Sequence, residues 1–227
     1  MTSLILAATF FVGIHVFISG TRVRDVVVRA IGERPFLGLF SLLSLAGLAW
    51  LGRAYAQAPL ITLWGKVDGL RSVALLVMLV SVQFVVIGLT TPSPTAVGGE
   101  AHLDESEPAR GMLRVTRHPF LWGAAIWAAM HFVLNGDAAG AVLFGSILLL
   151  ALVGPLSIDA KRRRAFGERW NRFAATTSNV PLAAIAQGRN TFQLAELGWW
   201  RIALGVALYV ILLLSHRWLF GVSPLSL

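Results

Sequence analysis

The sequence predicts an all-α protein, a polytopic membrane bundle of about six transmembrane helices with both termini outside the cytoplasm. Three observations carry that expectation. Hydrophobic residues make up 56% of the 227 and charged residues only 13%, about half the roughly 25% charged share of soluble domains. Six stretches are apolar over about the 17 to 25 residues that a helix needs to cross a hydrocarbon core of about 30 Å. The basic residues fall mostly into alternate connections between those stretches, which is the charge pattern of a multi-pass membrane protein.

The stretches run from Thr2 to Gly20, Pro35 to Gly52, Ser72 to Thr91, Pro119 to Gly136, Ala138 to Ile158, and Ile202 to about Phe220. The first has no Lys or Arg ahead of its apolar run and no small-x-small cleavage pattern, so it reads as a retained anchor. The sixth is bracketed by Arg201 and Arg217, whose side chains can snorkel to the two interfaces. Asn135-Gly136-Asp137 is a turn between the fourth and fifth stretches and predicts an antiparallel helical hairpin. Gly154-Pro155 is expected to kink or end the fifth helix.

Orientation follows from the basic residues. Arg22, Arg24, Arg29 and Arg34 stand in the first connection; Arg110, Arg114 and Arg117 in the third; Lys161, Arg162, Arg163, Arg164, Arg169, Arg172, Arg189 and Arg201 in the fifth. Only Arg53, Lys66, Arg71 and Arg217 lie on the other side. The odd connections are therefore expected in the cytoplasm of a bacterial cell, with the bundle in its inner membrane; five spans would leave the C-terminus cytoplasmic.

The net charge of +8 has no basic soluble domain to carry nucleic acid, so anionic lipid headgroups are the expected partner. Phe166, Trp170 and Phe173 recur at helical spacing among the basic residues of the fifth connection, which suits a helix lying on those headgroups. The third connection, Pro92 to Arg117, carries Glu100, Asp104, Glu105 and Glu107 and reads either as a mobile lid or as a solvated loop. With no cysteine in the chain, disulfides, zinc knuckles, Cys-ligated clusters and thiol nucleophiles are excluded. No internal repeat and no Gly-rich phosphate fingerprint appears. One membrane domain over 1–227 accounts for the whole.

Carboxylates are absent from all six stretches, so a two-acid mechanism inside the membrane is disfavoured and imidazole is left as the main intramembrane chemistry. Ionisable groups at membrane depth are costly and mark functional candidates, and neutral imidazole is the usual protein ligand of haem iron. His15 shares a helix face with Phe11 and Ser19, and His131 with Trp127 and Asn135. An interhelical hydrogen bond is the bland reading of either histidine. His118 opens the fourth stretch in Arg117-His118-Pro119, where it either binds an anionic cofactor or caps the span. His216 suits a headgroup role, and the eight tryptophans suit interfacial belts, with Trp199-Trp200 the clearest case.

These residues resemble a known family. Gly13-Ile14-His15 with Ser19-Gly20-Thr21-Arg22, then Gly32-Glu33-Arg34, Arg114 to Gly123, and Met130-His131 are similar to the NnrU family. Phe166 to Trp170, Thr177-Ser178-Asn179-Val180-Pro181 and Phe220 to Pro224 extend the similarity over nearly the whole chain. The resemblance implies a link to nitrite and nitric oxide metabolism, that is, to denitrification enzymes as partners. It also implies kinship with the plant 15-cis-zeta-carotene isomerase, a membrane haem b enzyme acting on a hydrophobic polyene. Carried over residue by residue, it makes His15 and His131 the iron ligands and catalytic residues of a redox-gated cis-trans isomerase; Ser19 and Trp127 on their helix faces, with Arg117 and His118 at the opening of the fourth stretch, are the further candidate cofactor contacts. By depth along the helices, at about 1.5 Å per residue, His15 with His118 or His131 with His216 pairs as well.

Two rival readings stand beside this one. Arg117-His118-Pro119, Asp159 and Glu168 are also similar to membrane methyltransferases of the prenylcysteine and phospholipid type, in which Arg117 and His118 grip the carboxylate of S-adenosylmethionine and an acid its ammonium group. Leu121 stands where that pattern has Tyr, and Lys161-Arg162-Arg163-Arg164 replaces its acidic run. The third reading is a non-catalytic membrane partner of a denitrification complex.

Overall fold

The structure, a computed structural model, describes residues 1–225; the side chains of Ser19 and Asp68 lie outside that description. Its elements are helical: α1 (Thr2–Gly13), a π-helical turn (Ile14–Ser19), α2 (Val23–Ile31), α3 (Glu33–Ala56), α4 (Arg71–Thr90), α5 (Met112–Val115), α6 (Pro119–Asn135), α7 (Ala138–Phe166), α8 (Glu168–Thr176), α9 (Ala183–Ala186) and α10 (Trp199–Phe220), with short 3₁₀ turns between them. All six apolar stretches fold as helices. Four helices, α3, α4, α7 and α10, are long and apolar enough to cross a membrane. The bent pair Thr2–Ile18 and Val23–Ile31 makes a fifth if it counts as one span. α6, with 17 residues, extends about 25 Å at 1.5 Å per residue, short of a hydrocarbon core of about 30 Å.

The boundaries have local causes. Pro119 opens α6, where its missing N–H leaves no bond unmade. Gly136 takes φ +62°, and a Cβ there would lie 1.9 Å from the Gly65 carbonyl oxygen, so the turn after α6 needs glycine. Asp137 then caps α7 through its carboxylate, which accepts the Gly140 backbone N–H at 2.8 Å. The expected break at Gly154-Pro155 ends nothing: α7 runs through Pro155 to Phe166. Asp159 therefore stands on a helix, although the fifth stretch was expected to end at Ile158.

The chain divides into two compact units, Met1–Asp68 with Ala128–Gly154, and Gly69–Trp127 with Pro155–Leu227. In the first, α1 packs on α3 through Leu4, Ala7 and Ala8 against Leu51 and Ala54, with Ala139 completing the cluster. Small residues let the backbones approach, as membrane helices require. The loop after α3 is tied to the α6–α7 turn: the N–H groups of Leu63, Trp64 and Gly65 all converge on the Gly136 carbonyl.

In the second unit α4 packs on α10. Gln83 donates to the Ile202 carbonyl at 3.2 Å and Tyr209 to the Leu75 carbonyl at 2.9 Å. Beside them lies a cluster of Leu103, Ala109, Leu113, Trp170 and Phe173. Trp170 and Phe173, on α8, are 0% and 1% exposed, so the aromatic face expected on lipid headgroups is buried in protein. Hydrophobic spacing alone does not distinguish a lipid from a protein core as the partner of an amphipathic helix.

The third connection is strapped down. Each of its four acids meets an arginine: Glu100 meets Arg162, Asp104 meets Arg169, Glu105 meets Arg110, and Glu107 meets Arg114. Arg162 also donates to the Ala96 carbonyl at 2.5 Å. Asp104 and Glu107 remain largely exposed at 61% and 62%, so the connection is a solvated one strapped by ion pairs.

Candidate functional site

His15 is the second residue of the π-helical turn, a local widening that is frequent at functional sites. Gly20 follows it, and a Cβ there would lie 2.3 Å from the Val16 carbonyl oxygen, so the turn needs a glycine at its end. The His15 Nδ1–H donates to the Phe11 carbonyl at 2.7 Å. That bond puts the proton on Nδ1 and leaves the Nε2 lone pair available, the arrangement a metal-ligating imidazole usually has. Around the ring, Phe11 lies 4.6 Å away, centroid to centroid, and Phe40 5.2 Å away in an edge-on contact. Phe36 stacks on Phe40 at 5.8 Å. The imidazole sits half-buried among aromatic rings.

His131 belongs to the same compact unit. Its ring is 5.0 Å from that of Phe144, which in turn meets Tyr55 edge-on at 6.0 Å. Asn135, expected to flank the imidazole, donates instead to the His131 backbone carbonyl at 2.7 Å. Trp127 stands one turn earlier on α6, half-buried. The Ser19 side chain, a candidate cofactor contact on the His15 face, lies outside the described residues; the Phe11 carbonyl fixes the His15 tautomer. A cleft of about 220 Å³ in this unit is lined by Tyr55, Ala58, Leu60, Asp137 and Ala139, among others, and by neither imidazole.

Arg117 and His118 fall in the other unit. His118 is 3% exposed and Asp159 9%. The Asp159 carboxylate accepts from His118 Nε2 at 2.7 Å through one oxygen, and from Arg117 Nε and Nη2 at 2.8 and 2.7 Å through the other. Thr116 adds support by donating to the Asn179 carbonyl at 2.6 Å, and Trp122 does so at 2.8 Å. Three of the four groups singled out for a methyl-donor cofactor thus bind one another, while Glu168 accepts from Asn171 instead.

Reasoning from the sequence missed a second buried cation. Arg114, 5% exposed, makes two hydrogen bonds to Glu196, at 2.7 and 2.8 Å, and one to Asn190 at 2.7 Å. The Gly111 N–H adds a bond to Glu196 at 2.7 Å. Hydrogen bonds from Arg114 hold the Glu196 carboxyl below the usual range, and the same contact raises the Arg114 guanidinium. These partners are more than eighty positions apart, so no local pattern announces them. Among the described residues, no three or more His, Asp or Glu side chains gather to hold a metal ion.

Comparison with known proteins settles the family. The model of the NnrU protein family matches residues 3–224. The chain belongs to the NnrU family. It is also 28% identical over 174 residues to the chloroplastic 15-cis-zeta-carotene isomerase of Arabidopsis thaliana, covering 73% of this chain and 46% of that protein. The corresponding isomerase of Zea mays is 30% identical over 79 residues, 35% of this chain and 22% of its own length. This NnrU-family chain therefore spans less than half the length of the curated relatives it matches. No solved structure matches it.

Proposed function

We propose that this NnrU-family protein is an integral membrane haem b protein whose iron is held by His15 and His131. It serves nitrite and nitric oxide metabolism in the bacterial inner membrane, and cis-trans isomerisation of a polyene is the activity its relatives' name suggests. The observation that carries the reading is His15 on a π-helical turn, its Nδ1 proton fixed on the Phe11 carbonyl and its Nε2 left as a donor. The donor set fits haem chemistry, because imidazoles in apolar surroundings are its commonest protein ligands.

Haem, held by His15 and His131, would supply redox-active iron beside a bound polyene. The chain's own residues do the rest. Phe11, Phe36 and Phe40 exclude water from one imidazole, Phe144 and Tyr55 from the other. The Phe11 carbonyl holds the His15 proton away from the metal-binding nitrogen. Arg117, His118 and Asp159 brace one end of α6 and α7, since a grip on S-adenosylmethionine would require breaking three short hydrogen bonds among them. The excess of basic residues in alternate connections supports both termini lying outside.

The test is the visible spectrum of the detergent-purified protein, oxidised and reduced with dithionite. A Soret band and split α and β bands, lost in His15→Ala and in His131→Ala, are expected. A folded, colourless native protein from haem-supplied cells overturns the reading and leaves the methyltransferase and the denitrification-partner readings to be tested by S-adenosylmethionine binding and by co-purification.

A further inference from the structure

Helix α2 has a feature that the haem reading does not use. Its nine residues, Val-Arg-Asp-Val-Val-Val-Arg-Ala-Ile, place Val23, Val26, Val27, Ala30 and Ile31 on one face at 3.6 residues per turn. Arg22, Arg24 and Arg29 flank that face, and Asp25 stands opposite. Three of these side chains are largely uncovered, Val23 at 49% exposed, Val26 at 56% and Ile31 at 45%, and Val27 is half-buried. The helix cannot serve as a membrane span, with two arginines and an aspartate in nine residues. Yet it follows an apolar helix and turns from it by 79°. If the preceding helix crosses the bilayer, α2 lies near the plane of its surface.

The cations complete the pattern. Arg24 is committed within the protein: it pairs with Glu33 at 2.8 Å and lies over the Phe36 ring at 5.6 Å, which ties α2 to α3. Arg22, Arg29 and Arg34 are exposed, and none of them makes an ion pair among the described residues. Uncovered valines and isoleucine bordered by free guanidinium groups suit a boundary where acyl chains meet anionic headgroups. Arginines near the surface are attracted to an anionic leaflet, within about a Debye length of it.

We propose that α2 is an in-plane interfacial helix whose apolar face docks into the bilayer surface and whose Arg22, Arg29 and Arg34 bind anionic phospholipid headgroups. The chain has no native cysteine, so single nitroxide labels can be placed without altering any other residue. The full chain is reconstituted in vesicles of phosphatidylcholine, with or without phosphatidylglycerol, and labelled at Val26→Cys, Ile31→Cys or Asp25→Cys. Leu42→Cys on α3, an exposed position at 67%, provides the hydrocarbon reference and confirms insertion.

Collision with oxygen should exceed collision with a water-soluble nickel chelate several-fold at 26 and 31, and the ratio should reverse at 25. Phosphatidylglycerol should carry label 26 deeper, and the triple variant Arg22→Gln, Arg29→Gln, Arg34→Gln should erase that difference while keeping the shielding from nickel. Labels 26 and 31 as open to nickel as label 25 would place the helix in water. Shielding from both reagents would place a second copy or another protein on the face. Either result, or a native protein indifferent to phosphatidylglycerol, overturns the proposal.

Discussion

The imidazoles carry the functional reading, and their neighbours decide what they can do. His15 was legible in the sequence because an ionisable group within an apolar run stands out against its background. The π-helical turn was not legible, because a single wider turn leaves the hydrophobic pattern unchanged. Gly20→Ala tests the turn: its Cβ would press on the Val16 carbonyl at 2.3 Å, so the segment must rewind and shift the imidazole. Haem retention should fall by about tenfold, the low end of the cost of disturbing a ligand's supporting shell, as read by haem titration of the apoprotein. Asp159→Asn makes the contrasting case. It removes the charge that Arg117 and His118 share, which should cost about 3 kcal/mol in detergent unfolding while leaving haem content unchanged.

Among the elements, α8 and the strap between α4 and α5 show where sequence reasoning reached and where it stopped. Phe166, Trp170 and Phe173 do meet in one cluster, but not on one helix: α7 ends at Phe166, Gly167 turns at φ +48°, and Trp170 and Phe173 stand on α8, covered by Leu103 and Leu113. Trp170→Ala should destabilise the protein by about 3 to 5 kcal/mol, whereas Arg163→Gln, at an exposed position, should leave the melting temperature unchanged.

The strap depends on pH through Glu196. Its carboxyl is held below the ordinary value of 4.5 by Arg114, so the stabilisation is complete above pH 4.5 and is lost as pH falls through the depressed value. Protection of the Gly111 amide and its neighbours from hydrogen exchange, taken relative to the intrinsic rate at each pH, should therefore fall as pH drops below the ordinary carboxyl value, and Glu196→Gln should abolish that acid dependence. Arg117 and Asp159, and likewise Arg114 and Glu196, lie too far apart in sequence for any periodicity to reveal their pairing.

For the whole molecule, the helical class and the positions of six apolar helices followed from hydropathy and charge. Their lengths followed less evenly: α6, Pro119–Asn135, ends within one residue of its apolar stretch, whereas α7 outruns its own to Phe166. A bilayer rewards apolar length, while helix ends are set by caps and by partners that hydropathy ignores. The chain belongs to the NnrU family over residues 3–224 and is similar to zeta-carotene isomerases, and the central claim of the proposed function is haem ligation by His15 and His131. The most direct measurement is the ratio of haem b to protein by pyridine haemochrome in the purified native chain, His15→Ala, His131→Ala and His118→Ala, all produced with haem precursor. The account predicts one haem per native chain, near zero for His15→Ala and His131→Ala, and native occupancy for any His118→Ala protein that remains folded. Native occupancy in His15→Ala, or a native chain without haem, would contradict it.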